Sequence, residues 1–187
     1  MNARRWWLVV VSFFLMTRPM AAHAEKTFER FTHQPSTEHP VTAELIVEHA
    51  SIQPGGSTRV GVRMEIENGW HIYADPSGDA GLPTEISWHK PSGAALGSLQ
   101  WPSPESFLDP GELKTFGYTG TLVVQTMLEA SPRAVIGSSI PLEAEVRWLA
   151  CREICLPGSA SVKASLPVTS TPPTSSAQAE LFELTDQ

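Results

Sequence analysis

Cysteine is scarce in this sequence: Cys151 and Cys155 are the only two in 187 residues. Structural zinc wants four ligands, and two more at suitable spacing are missing. Basic charge is short as well. Thirteen Lys and Arg against 20 Asp and Glu leave a net charge of -7, which argues against nucleic acid or anionic lipid as partners. Long apolar runs are absent too. The run from Trp6 to Met16 is about 11 residues, short of the roughly 20 that span a bilayer. No later segment is both long and apolar enough, so no stable membrane insertion is expected. Nor does any nucleophile-elbow pattern position Ser, His and Asp for hydrolysis.

What is there begins with an address label. Arg4 and Arg5 precede the apolar run, and Ala22-His23-Ala24 offers the small residues a signal peptidase reads. Residues 1–24 are therefore expected to be an export leader cleaved near Ala24. Paired arginines alone do not make a twin-arginine signal, so ordinary secretion is the expectation. No cysteine lies near the cleavage point, which excludes lipid attachment there. The remaining chain of about 160 residues suits one domain with a sizeable core plus loose ends.

Residues 25–40 are mostly polar and read as a poorly ordered lead-in. From about Ser165, and clearly over 169–187, Pro, Ser and Thr dominate. Such residues bury too little apolar area to offset ordering entropy, so a flexible tail is expected, ending in a short helical stretch from Ala179 to Leu184. Between these ends, over 41–168, the dominant period is two. Val60, Val62, Met64 and Ile66 alternate with polar residues, as do Ile140, Leu142, Ala144, Val146 and Trp148. That alternation is what a half-buried antiparallel strand requires. Further strands are expected at Ala43–Glu48, Trp70–Ala74, Glu85–His89, Leu99–Trp101, Leu122–Leu128 and Ser161–Leu166, with turns at Pro54-Gly55-Gly56, Asn68-Gly69, Pro91-Ser92-Gly93 and Asp109-Pro110-Gly111. No convincing 3.6 period intervenes. The pattern predicts an all-β, immunoglobulin-like antiparallel sandwich of seven or eight strands.

Cys151-Arg152-Glu153-Ile154-Cys155 follows directly on the strand ending at Trp148, and Leu156-Pro157-Gly158 breaks the chain before the next. The pair thus lies at a strand connection at one end of the sandwich. In an exported protein the two thiols are expected to bond. As a staple, a ring of about five residues restricts the unfolded chain by only about 2 kcal/mol. As a working part, one thiolate attacks and the second is near enough to resolve the mixed disulfide. Arg152 favours a thiolate and Glu153 opposes it, so local charge does not decide. A soft metal such as copper(I) is a third reading. His49, His71 and His89 are the imidazoles in the domain, and none stands at ligand spacing from the cysteines. No metal site and no cofactor are assigned.

Five blocks in order resemble the periplasmic N-terminal domain of the thiol:disulfide interchange protein DsbD family, particularly its ScsB-like branch. They are Gly69-Trp70-His71-Ile72-Tyr73, Asp79-Ala80-Gly81-Leu82-Pro83-Thr84-Glu85-Ile86, Gln100-Trp101-Pro102-Ser103-Pro104, Phe116-Gly117-Tyr118-Thr119-Gly120, and Trp148-Leu149-Ala150-Cys151 through Cys155-Leu156-Pro157-Gly158. The resemblance implies an immunoglobulin-like domain in the periplasm whose cysteine pair carries reducing equivalents to thioredoxin-like proteins. By position, Cys155 resembles the thiol that forms mixed disulfides and Cys151 its resolving partner. A cap loop shields the pair in the family, and the corresponding stretch is Phe107 to Leu113. Asp109 and Glu112 within it would tune the thiols, since nearby carboxylates disfavour thiolate. His71 and Tyr73 resemble residues lining the site.

Plainer readings stand beside these. Trp70, Ile72 and Tyr73 also fit a strand's core, Asp109-Pro110-Gly111 an ordinary turn, and Trp101-Pro102 and Phe116-Gly117 packing and turn features. The best-known branch of the family spaces its cysteines more widely than the three intervening residues here. The family also continues into a membrane domain where this sequence stops, so a separate membrane electron donor is expected. The alternatives are a non-catalytic interaction module with a structural disulfide and, because the ScsB branch is associated with copper tolerance, a copper-handling protein.

Overall fold

The computed structural model describes residues 39–184. The expected leader, and all of the expected lead-in except His39 and Pro40, lie outside those residues. Ten strands form two antiparallel sheets, and no α-helix occurs among the described residues. The strands are β1 (Val41–Val47), β2 (Ser57–Ile66), β3 (His71–Gly78), β4 (Glu85–Trp88), β5 (Ala94–Leu96), β6 (Glu105–Asp109), β7 (Leu113–Tyr118), β8 (Thr121–Ala130), β9 (Ser139–Cys151) and β10 (Cys155–Pro167). One sheet runs β1-β2-β8-β5; the other runs β10-β9-β3-β7-β6, with β4 also pairing with β9.

Strict alternation builds the core. Val60, Val62, Met64 and Ile66 of β2 meet Ile140, Leu142, Ala144, Val146 and Trp148 of β9 in one buried cluster, joined by Ile72 and Ala74 of β3. The period-two expectation holds because each strand has one face toward this interior and one toward solvent. The product is the expected all-β, immunoglobulin-like antiparallel sandwich.

Several elements differ from the sequence reading. Leu99–Trp101 is not a strand. The paired edge segment is β5, and beyond it only Gln100 bridges to Gln125 of β8. Strands β6 and β7 were not expected, although the turn joining them, Asp109-Pro110-Gly111, was; β6 is an edge strand with exposed residues on both faces, which hides its period. Strand β10 starts six residues earlier than Ser161. Pro157 reads as a breaker, but β10 is a sheet edge, and there a residue with no N–H to donate is tolerated opposite Leu149.

The expected flexible tail is corrected as well. Ser176 donates its backbone N–H to Glu48 and Ala50 donates its own to Thr174. The stretch Ala179–Leu184 forms a 3-10 turn that seats Phe182, fully buried, against Ile46 and Val123 on the outer face of the four-stranded sheet. Arg59 reinforces it, 2.7 Å from Glu183 and 5.4 Å above the Phe182 ring. The apolar face left by β1 and β8 supplies the burial that the tail's composition lacks. Pro40, at the end of the expected lead-in, accepts a backbone bond from Glu67. None of the helices among the described residues is long and apolar enough to cross a membrane.

Candidate functional site

Cys151 closes β9 and Cys155 opens β10, so the two face each other on the first rung of a hairpin and are joined as a disulfide with Cα atoms 4.1 Å apart. The three-residue connection is held by a backbone bond from Arg152 to Ile154. Exposure is unequal: Cys151 is buried and Cys155 is exposed. Arg152 extends over the Trp70 ring, 5.0 Å from its centroid.

Pleating decides what surrounds the pair. Ile72 and Ala150 enter the core, so His71, Tyr73, Leu149 and Cys151 lie on the opposite, outer face of the six-stranded sheet. His71 is the direct register partner of Cys151. The β6–β7 hairpin contributes the rest. The Phe107 ring stacks on His71 at 4.7 Å with planes 14° apart, and Tyr73 meets the same imidazole edge-on at 5.1 Å. Asp109 accepts hydrogen bonds from the Tyr73 hydroxyl (3.3 Å) and the Thr115 hydroxyl (2.9 Å), and its other oxygen is 3.7 Å from His71 Nε2. A cavity of about 250 Å³ results, lined by Tyr73, Gly81, Asp109, Leu113, Cys151 and Cys155 among others.

Burial pushes the Tyr73 phenol up to about 12, with the Asp109 charge and hydrogen bond adding to the effect. Burial also holds the His71 imidazole below its ordinary 6.5, while Asp109 pulls the other way. His71 is therefore neutral at neutral pH and Tyr73 remains a donor. Leu113, which lines the cavity, is an exposed apolar side chain, and Leu82 and Ile154, also exposed, adjoin the lining residues Gly81 and Cys155 in the chain.

Of the residues predicted from sequence, His71, Tyr73, Phe107, Asp109, Cys151 and Cys155 come together. Glu112 does not join them: it is exposed at the hairpin tip, at a φ of 60°, and outside the cavity lining. Leu113, the end of the expected cap stretch, lines the cavity, whereas Thr115 was not expected there, since a lone Thr in an unrecognised strand carries no signal. Gly81 lay inside a quoted block without a stated role. Its φ is 91°, and a Cβ there would run into the Tyr73 ring. The plainer readings hold for Trp70 and Ile72, which are core, and for Trp101, which stacks on Tyr118 at 6.0 Å. Gly117 is required because a Cβ would strike the Ile72 carbonyl where β3 and β7 meet. Among the described residues, three potential metal ligands gather at His89, Glu143 and Glu145, where Glu143 is already held 2.7 Å from Lys163.

The sequence profile of the family described as thiol:disulfide interchange protein DsbD, N-terminal, matches residues 39–167. Solved structures of similar fold include the N-terminal periplasmic domain of ScsB from Proteus mirabilis, with a TM-score of 0.56 and 20% identity, covering 80% of this chain and 53% of that one. This chain thus spans about half the length of that structure. The N-terminal domain of DsbD from Neisseria meningitidis, solved in its reduced form, gives a TM-score of 0.35 and 17% identity over 70% of this chain and 89% of that one. Among curated proteins no sequence matches.

Proposed function

The chain belongs to the family of the N-terminal domain of thiol:disulfide interchange protein DsbD, and on that premise we propose that it passes reducing equivalents to thioredoxin-like partners in the periplasm. Cys155, as a thiolate, attacks a partner disulfide and forms a mixed disulfide. Cys151 then attacks the Cys155 sulfur and releases the partner reduced, leaving the pair oxidised. A separate membrane protein returns the electrons.

The observation that carries this reading is the unequal exposure of two bonded cysteines on one rung: Cys155 is an exposed residue and Cys151 a buried one. An attacking thiol must be reachable, whereas a resolving thiol needs only its neighbour. Exposed Leu113 in the cavity wall, with exposed Leu82 and Ile154 next in the chain to lining residues, supports docking of a folded partner beside the pair. The staple reading is weaker, because the bond closes a hairpin already paired along the whole of β9 and β10. Cys151→Ala should accumulate reductant-sensitive adducts through Cys155 when mixed with oxidised periplasmic thioredoxin-like proteins. Adducts no more abundant than with Cys155→Ala would overturn the assignment.

A further inference from the structure

We propose that His71 is the proton acceptor for Cys151 when that thiol resolves the mixed disulfide, a role that rests on the exchange reading above. Residues directly opposed on antiparallel strands hold their Cβ atoms about 4.5–5.5 Å apart and on one face, and His71 stands in that relation to Cys151. The ring is buried between Phe107 and Tyr73, yet its Nε2 has no hydrogen-bond partner. Buried polar atoms are nearly always partnered, so an imidazole left open beside a reactive sulfur calls for a role.

The groups facing it narrow the choice of base. Tyr73 on β3 keeps its proton up to about pH 12 and donates to Asp109. Asp109 on β6 accepts from Tyr73 and Thr115 through one oxygen, and its other oxygen faces the His71 ring at 3.7 Å, so it acts on Cys151 through the imidazole. Arg152, in the loop after Cys151, cannot accept a proton. His71 has open acceptor capacity, and burial keeps it neutral at neutral pH. Cys151 is buried, so its proton needs an acceptor within the protein, and the opposed imidazole is positioned as one.

The step balances. The Cys151 thiol gives its proton to the His71 ring, and the thiolate attacks the Cys155 sulfur. The Cys151–Cys155 bond forms, the bond from Cys155 to the partner sulfur breaks, and the departing thiolate is protonated by the imidazolium or by water. The partner disulfide has gained two electrons, which the cysteine pair has lost. Asp109, 3.7 Å from Nε2, stabilises the transient imidazolium.

Prereduced protein mixed with dithiobis(nitrobenzoate) releases one thionitrobenzoate as Cys155 reacts and a second as Cys151 closes the disulfide. In His71→Gln the second rate relative to the first should fall by about 10²-fold near neutral pH, and its pH profile should lose the imidazole inflection. Asp109→Asn, which keeps the ring, should move that inflection to lower pH, because the carboxylate is what raises it. A second release with unchanged rate and profile in His71→Gln, or an unmoved inflection in Asp109→Asn, overturns the role of His71 alone. If the folded protein releases neither thionitrobenzoate, the exchange reading itself fails, and this role with it.

Discussion

Asp109 of β6 sits where two neighbouring strands deliver polar side chains: Thr115 from β7, and Tyr73 and His71 from β3, the imidazole just beyond hydrogen-bond range. Its contacts hold the cap hairpin to the sheet, and its charge adds to the effect of burial at Tyr73 and opposes it at His71. A histidine depressed in the folded state binds its proton less readily than in the unfolded chain. Its contribution to stability is therefore present above about pH 6.5 and lost as pH falls through the lower folded value. The urea midpoint is expected to decline as pH drops below about 6.5, and His71→Gln to decline less steeply over the same window. Identical slopes in the two proteins would contradict a neutral buried ring. Tyr73 has the opposite sign: its folded value is raised to about 12, so its contribution is complete below about pH 10 and disappears between the two.

The hairpin of β9 and β10 explains how a disulfide can open without loss of the fold. The two strands pair continuously from Cys155 opposite Cys151 to Pro167 opposite Ser139. The bond closes only the three-residue end, so in the chain-entropy treatment its removal costs about 2 kcal/mol. Reduction is expected to leave the β-sheet circular-dichroism spectrum intact and to lower the unfolding free energy by about that amount in urea titrations. Cooperative unfolding on reduction alone would make the bond a staple. Legibility at this scale followed burial. Strands β2 and β9 each present one buried face and alternate visibly. Edge strand β6 does not, and Pro157 looked like a terminator only because its edge position was unknown.

Across the whole molecule, residues 169–184 return over the outer face of the four-stranded sheet. Phe182 is the anchor, with Ile46 and Val123 beneath it and the Arg59 guanidinium above. A fully buried Phe cut to Ala loses transfer free energy and leaves a cavity. Phe182→Ala is expected to destabilise the domain by about 3 kcal/mol in urea unfolding. A change under about 0.5 kcal/mol, the usual effect of a surface substitution, would mean the tail is not part of the cooperative unit. This face lies on the sheet opposite to the one carrying the cysteines, so the tail stabilises the sandwich without covering the site.

The period-two alternation and the five-residue span of the cysteine pair were properties of neighbouring residues, and from them the sandwich and a pair of thiols at a strand connection could be read directly. Tertiary structure alone brought His71 opposite Cys151, folded Phe107 and Asp109 over that face, left Glu112 outside and gave Phe182 a socket. Each of these depends on the register between strands distant in sequence, and side-chain period carries no record of which strands will pair. Register arises only when both sheets bury their apolar faces together, and that burial is also what leaves one cysteine buried and the other exposed.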